Sequence, residues 1–229
     1  GAQMGAKPFL TIQEQVDLLR TRGMIVDEKT PEVLMREGYY SIVNGYKDPF
    51  IDAEQTAQAG EDRYVEGSKF SDLCALYTFD RELRSLTFRY LILAEAKVKT
   101  AVAYTFSEAH RSPNDYLLQS SFCSEQEFVP TSDGTEYAKE VSGRDTYGSV
   151  PLWVLVNDLT FGNIEHFFNL MKPAEQRGVC KMIVASTGRT GSKRLGYFDE
   201  KKAIVSIETL VKFRNVCAHD ERLYCARVG

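Results

Sequence analysis

Apolar residues recur at intervals of three and four along most of this chain, and alternating, strand-like runs are few. In the first such segment, "TIQEQVDLLRTRG", Ile12, Val16 and Leu19 share a face. Thr11 and Glu14 carry the signature of a capping box, and Gly23 supplies the stop. In "PEVLMREGYYSIVNGYKDPF", Pro31 marks a helix start, Gly38 and Gly45 interrupt the pattern and Pro49 closes it, which predicts one or two short helices. Residues 52–67 are polar and are expected to form a loop or a small irregular excursion.

The strongest helical signal runs from Phe70 to His110. One stripe holds Phe79, Leu83, Leu86, Tyr90, Leu93 and Lys97, and another holds Phe88, Leu91, Val98 and Val102, which predicts a central helix buried on two sides. Tyr77, Asp80, Arg84 and Glu95 fall on the second stripe. Asp80 and Arg84 form an i, i+4 pair, a salt bridge of small value if exposed. Glu95 is different. Leu91 precedes it by four residues and Val98 follows by three, so its carboxylate points into apolar surroundings and needs a partner.

From Arg111 to Val150 the pattern dissolves into an irregular insertion, with a short helix around Glu136 to Val141. "PLWVLVNDLTFGNIEHFFNLM" resumes helix at Pro151, with Gly162 expected to break or kink it before Ile164. His166, beside Phe167 and Phe168, reads as a helix-packing histidine rather than a catalytic one. "EQRGVCKMIVAS" makes another short helix, and "DEKKAIVSIETLVKFRNVCAHDERLY" a final long one. The predicted class is all-α. A helical segment over residues 1–66 packs on a helical core over 67–229, within which 111–150 is the irregular insertion.

Composition narrows the function classes. An apolar fraction of 43% with 26% charged residues belongs to a soluble globular protein rather than a disordered one. No apolar run approaches the roughly 18 residues of a membrane span, and no signal-peptide pattern opens the chain, so a cytoplasmic protein without a membrane partner is expected. The five cysteines show no C-x-x-C spacing and fall mostly in apolar segments, which predicts reduced, mostly buried thiols. His110, His166 and His219 lie far apart, without the spacing of metal ligands, and no metal or cofactor is expected. A net charge of −4 argues against a broadly basic nucleic-acid surface. A local patch remains in "STGRTGSKRLG", with Arg189, Lys193 and Arg194, either a solvated loop or a phosphate contact. It lacks G-x-x-x-x-G-K-[ST] and is no P-loop.

The anomaly lies in "LVKFRNVCAHDERLY". On a helical wheel Ala203, Ile204, Ile207, Leu210, Val211, Cys217 and Ala218 form one apolar arc, and Arg214 falls near its middle, with Asn215 and His219 along one flank. A buried guanidinium without an anion is costly, so its partner is either an internal carboxylate, Glu95 or Asp80, or an anionic ligand. As architecture, the arginine bridges two helices and His219 offsets a helix dipole. As chemistry, the three side chains converge on a phosphate. Imidazole moves protons near neutral pH, a guanidinium stabilises a phosphorane dianion, and an amide orients either one. No metal is required when a ribose 2′-OH is the nucleophile. A single histidine cannot act as base and acid at once, and two chains about a two-fold axis would supply both.

Arg214-Asn215, three residues, then His219 resembles the R-[NH]-x-x-x-H signature of the HEPN superfamily of helical proteins, many of them RNA-cleaving toxins or defence nucleases. More widely, "KPFLTIQEQVDLL", "GYYSIVNGYKDPF", "LYTFDRELRSL", "AEAKVKTAVA", "LTFGN" and "FRNVCAHDERLY", in this order over nearly the whole chain, are similar to the Abi-like (abortive infection) family of bacterial phage-resistance proteins. The resemblance implies a homodimeric, metal-independent endoribonuclease that leaves a 2′,3′-cyclic phosphate. In it Arg214 and His219 are the catalytic pair, Asn215 is accessory, and Glu95 braces the arginine; beside that resemblance, Asp80 and Arg84 are expected to support the site. Related sequences often carry an arginine a few residues after the glutamate, where this chain has Lys97 and Lys99, which weakens bidentate phosphate contact there. A regulatory RNA or an antitoxin-like partner would restrain the activity. Two other readings stay open: an RNA-binding module without cleavage, and a helical scaffold.

Overall fold

The computed structural model describes residues 8–123, 150–186 and 198–227. Among them the chain is all-α, with two isolated bridges, Ile25 to Lys69 and Ile51 to Tyr64, and no strand. The described residues fall into two units, one of those within 1–85 and 222–225, the other of those within 86–221 and 226–229.

In the first unit α1 (Ile12–Thr21) begins at the expected capping box. Thr11 N–H donates to Glu14 Oε2 at 2.7 Å and Glu14 N–H donates to Thr11 Oγ1 at 3.3 Å. Helix α2 (Thr30–Glu37) carries Pro31 in its first turn and ends at Gly38, whose φ of 83° a Cβ would strain. A π-helical turn at Tyr40–Asn44 then buries Ile42 and Val43. The expected loop over 52–67 instead contains α3 (Ala53–Ala59). Asp52 accepts from Gln55 N–H at 2.9 Å and left-handed Gly60 closes the other end. Caps rather than burial make this helix, so a reading of polarity missed it. Val16, Leu19, Leu34, Ile42, Val43, Phe70 and Leu73 form the unit's core.

Helix α4 (Phe70–Ala109) has the expected extent. Asp80, Arg84, Leu91, Glu95, Val98 and Val102 are buried on the second stripe. The first stripe departs from expectation, because Phe79, Leu86, Tyr90 and Leu93 are each more than half exposed. An apolar stripe is buried only where a neighbour covers it, and among the described residues none does.

The second unit adds α5 (Leu152–Leu155), α6 (Phe161–Leu170), α7 (Pro173–Ala185) and α8 (Glu200–Ala218). Residues 111–123 hold only short 3-10 turns, Asp115–Leu117 and Gln119–Ser121, while the helix expected around Glu136 lies outside the described residues. The break between α5 and α6 falls before Thr160, not at Gly162. Thr160 and Asn163 cap each other at 3.0 and 3.1 Å, which starts a new helix with the glycine inside its first turn. His166 is exposed rather than packed, while Phe168 on the opposite face is fully buried. Helix α8 packs against α6 and α7 over Phe106, Ile164, Phe168, Val179 and Ile207. Among the described residues no helix is long and apolar enough to cross a membrane. All five cysteines are free, but only Cys180 is buried, and Cys225 is exposed. Burial pushes the Cys180 thiol up to about 11, so it behaves as a small apolar side chain.

Candidate functional site

Helix α8 starts where Asp199 accepts from Lys202 N–H at 2.9 Å, and it buries Ala203, Ile207 and Val211. Arg214 comes next along the apolar arc and is only half-buried. Its Nε donates to Glu95 Oε2 at 3.3 Å, with 27% of the arginine side chain and 9% of the glutamate side chain exposed. The sequence-derived choice between Glu95 and Asp80 is therefore made in favour of Glu95.

The second oxygen of that carboxylate takes Lys99 Nζ at 3.0 Å, an i, i+4 pair along α4. Two cations share one anion, which leaves the cluster with an excess of one positive charge. A guanidinium has five N–H donors, and among the described residues the Arg214 fork, beyond Nε, has no partner. Lys99 is thus part of this cluster, whereas Lys97 is exposed on the other side of α4. Arg189, Lys193 and Arg194 lie outside the described residues.

Asn215 and His219 are exposed, and the His219 amide donates to Asn215 O at 2.9 Å. The helix ends at Ala218, earlier than the sequence pattern suggests. His219 occupies the C-cap, Asp220 turns into the left-handed region at φ 58°, and Glu221 N–H returns to Val216 O at 3.0 Å. Ala218, counted on the apolar arc, is exposed as well. The imidazole therefore stands at a helix C-terminus in water.

Asp80 and Arg84 are not the exposed pair that their spacing suggested. Their side chains are 0% and 5% exposed and meet at 2.8 Å. Asp80 also accepts from Tyr46 OH at 2.7 Å, from Leu223 N–H at 3.2 Å and from Tyr224 N–H at 2.6 Å. Arg84 Nη1 reaches the Tyr46 hydroxyl at 2.8 Å, and the Tyr224 ring stacks on Tyr46. Burial, reinforced by the hydrogen bond to Asp80, pushes the Tyr46 phenol well above its ordinary range, so it stays a donor. Tyr46 and Tyr224 received no role from sequence reasoning. The available signal was their place in the two stretches "GYYSIVNGYKDPF" and "FRNVCAHDERLY".

A second histidine also meets a carboxylate. His110 Nε2 lies 2.8 Å from Glu175 Oε1 and its ring packs on Phe106 at 4.3 Å. Among the described residues no group of histidine, cysteine and acidic side chains is arranged to hold a metal ion.

No curated protein and no solved structure matches the chain. The family model of Abi-like proteins matches residues 32–225, a span that contains both carboxylate clusters, α8 and His219. That family's link to abortive infection places the chain in the context of phage defence. With most of its length matched, this chain belongs to the Abi-like protein family.

Proposed function

We propose that this Abi-like protein is a metal-independent endoribonuclease of the HEPN type, acting in abortive infection as a homodimer. The observation that carries the reading is the state of Arg214. Glu95 holds it at Nε, its remaining N–H donors have no partner among the described residues, and the cluster around it is positive overall. Such a fork fits a phosphodiester, and it strengthens its grip as the phosphate becomes a dianionic phosphorane.

In the reaction a His219 imidazole takes the proton of a ribose 2′-OH, the 2′-oxygen attacks the adjacent phosphorus, and the 5′-oxygen leaves. A second imidazole protonates that leaving oxygen, and the product ends in a 2′,3′-cyclic phosphate. Asn215, one turn before His219, orients the imidazole or the RNA. The nucleophile is already present on the substrate, so no metal ion is needed to generate one. Each chain carries one His219, and the second comes from a second copy. An enzyme of this kind needs restraint in its own cell, by a regulatory RNA or an antitoxin-like protein.

The test is single-stranded RNA in EDTA. The wild-type chain cleaves it, and His219→Ala, with unchanged helicity and melting, loses on the order of 10²-fold or more of the rate. A folded His219→Ala protein with undiminished cleavage removes His219 from the site. RNA retention without any cleavage by the wild type would instead make the same residues a phosphate-binding module.

A further inference from the structure

The outer side of α4 carries a repeat that, apart from Leu76, which is partly buried against the first core, neither core uses. Leu76, Phe79, Leu83, Leu86, Tyr90 and Leu93 follow at alternating intervals of three and four, with Asp72 four residues before them and Lys97 four residues after. That is the a/d spacing by which two helices seat their side chains into one another, and a stripe of period 3.5 matches a second helix better than a flat surface. Phe79, Leu86, Tyr90 and Leu93 are 59%, 55%, 62% and 54% exposed, and both charged ends are exposed. Large apolar side chains gathered on one exposed line mark an interaction surface.

We infer that the stripe is covered by the same stripe of a second copy, running antiparallel about a two-fold axis that passes between Leu83 and Leu86. The sequence is self-complementary in that register. Leu83 meets Leu86 of the second copy, Phe79 meets Tyr90, Leu76 meets Leu93, and at each end Asp72 meets Lys97. Along the flank Glu82 faces Arg89 of the second copy, and both are exposed. A parallel pairing would set Lys97 on Lys97 and Asp72 on Asp72, and it would leave Glu82 opposite Thr87 and Arg89 opposite Ala94. Because an isologous interface must pair each residue with its own mirror partner, this palindromic order of apolar and charged positions points to the chain itself as the occupant. The seam spans about 38 Å of helix.

The seam lies on the side of α4 opposite Glu95, which holds Arg214, so it does not by itself bring two His219 side chains together, and only the cleavage arm of its test rests on the two-copy reading of that site. Its pattern stands without that reading. The experiment is sedimentation of the full chain over a range of concentrations, alongside cleavage in EDTA. The wild type is expected to sediment as a dimer. Leu86→Glu and, independently, Leu93→Glu are expected to sediment as monomers with unchanged helicity, since both side chains are exposed. Glu82→Arg and Arg89→Glu each weaken the dimer, and the two together restore it. A wild type that stays monomeric, or a dimer unaffected by Leu86→Glu and Leu93→Glu, overturns the seam. Failure of the double exchange to restore the dimer overturns the antiparallel register. A monomeric Leu86→Glu protein that cleaves RNA at the wild-type rate supports the seam and refutes the shared site instead.

Discussion

Two carboxylates on the same helix, Asp80 and Glu95, each meet an arginine, and their surroundings differ in one respect that decides what each can do. Asp80 is fully buried and accepts from Tyr46, Arg84 and the amides of Leu223 and Tyr224. Its hydrogen-bonding capacity is filled, and the charge of Arg84 is matched inside the protein. Glu95 is nearly as buried, yet it balances two cations, and the arginine it holds is partly open to water. A buried pair that is fully satisfied contributes to a unique fold and has nothing left for a ligand. A pair that leaves guanidinium donors without a partner among the described residues, and positive charge in excess, offers more to an anion.

The comparison breaks first at Asp80. Asp80→Ala strands a buried guanidinium, a tyrosine hydroxyl and two amides, and is expected to cost about 3–5 kcal/mol in chemical denaturation. If the loss is below about 1 kcal/mol, typical of an exposed pair, the closed cluster does not anchor the fold.

Glu95→Gln should show the opposite balance. Arg214 and Lys99 keep some access to water, so the stability loss stays below about 2 kcal/mol. Displacement of the guanidinium lowers cleavage on the order of 10²-fold. Equal stability and equal activity in Glu95→Gln would end its bracing role.

Tyr46→Phe tests the finer structure of the closed cluster. Loss of the hydroxyl between Asp80 and Arg84 is expected to cost about 1–3 kcal/mol near neutral pH. The phenol pKa is raised in the folded chain, chiefly by burial, so the folded state keeps a proton that the unfolded state releases above roughly pH 10. Stability from this group is present below that pH and is lost as pH rises toward the folded value. Denaturation midpoints followed upward from pH 9 should therefore fall more steeply for the wild type than for Tyr46→Phe.

The two clusters were unequally legible in the sequence. Glu95 could be found because Leu91 and Val98 bracket it on one stripe, and Arg214 because it interrupts an apolar arc. Local helical geometry carried both inferences. Asp80 looked like half of a surface pair because its burial depends on Tyr46 and on Leu223 and Tyr224, more than 140 residues further along the chain. Periodicity within one helix holds no record of that. The same limit explains the first stripe of α4, where apolar character was read as burial although no described neighbour covers Phe79, Leu86, Tyr90 or Leu93. It also explains α3, whose signal lay in Asp52 and Gly60 at its ends rather than in any apolar face.

The most direct measurement of the central claim is the chemistry of the RNA ends formed in EDTA. Attack by the 2′-OH under Arg214 and His219 predicts a 2′,3′-cyclic phosphate and a 5′-hydroxyl, and no cutting of a substrate whose riboses are 2′-O-methylated. Cleavage of the methylated substrate, or products ending in a 3′-hydroxyl and a 5′-phosphate, would contradict it.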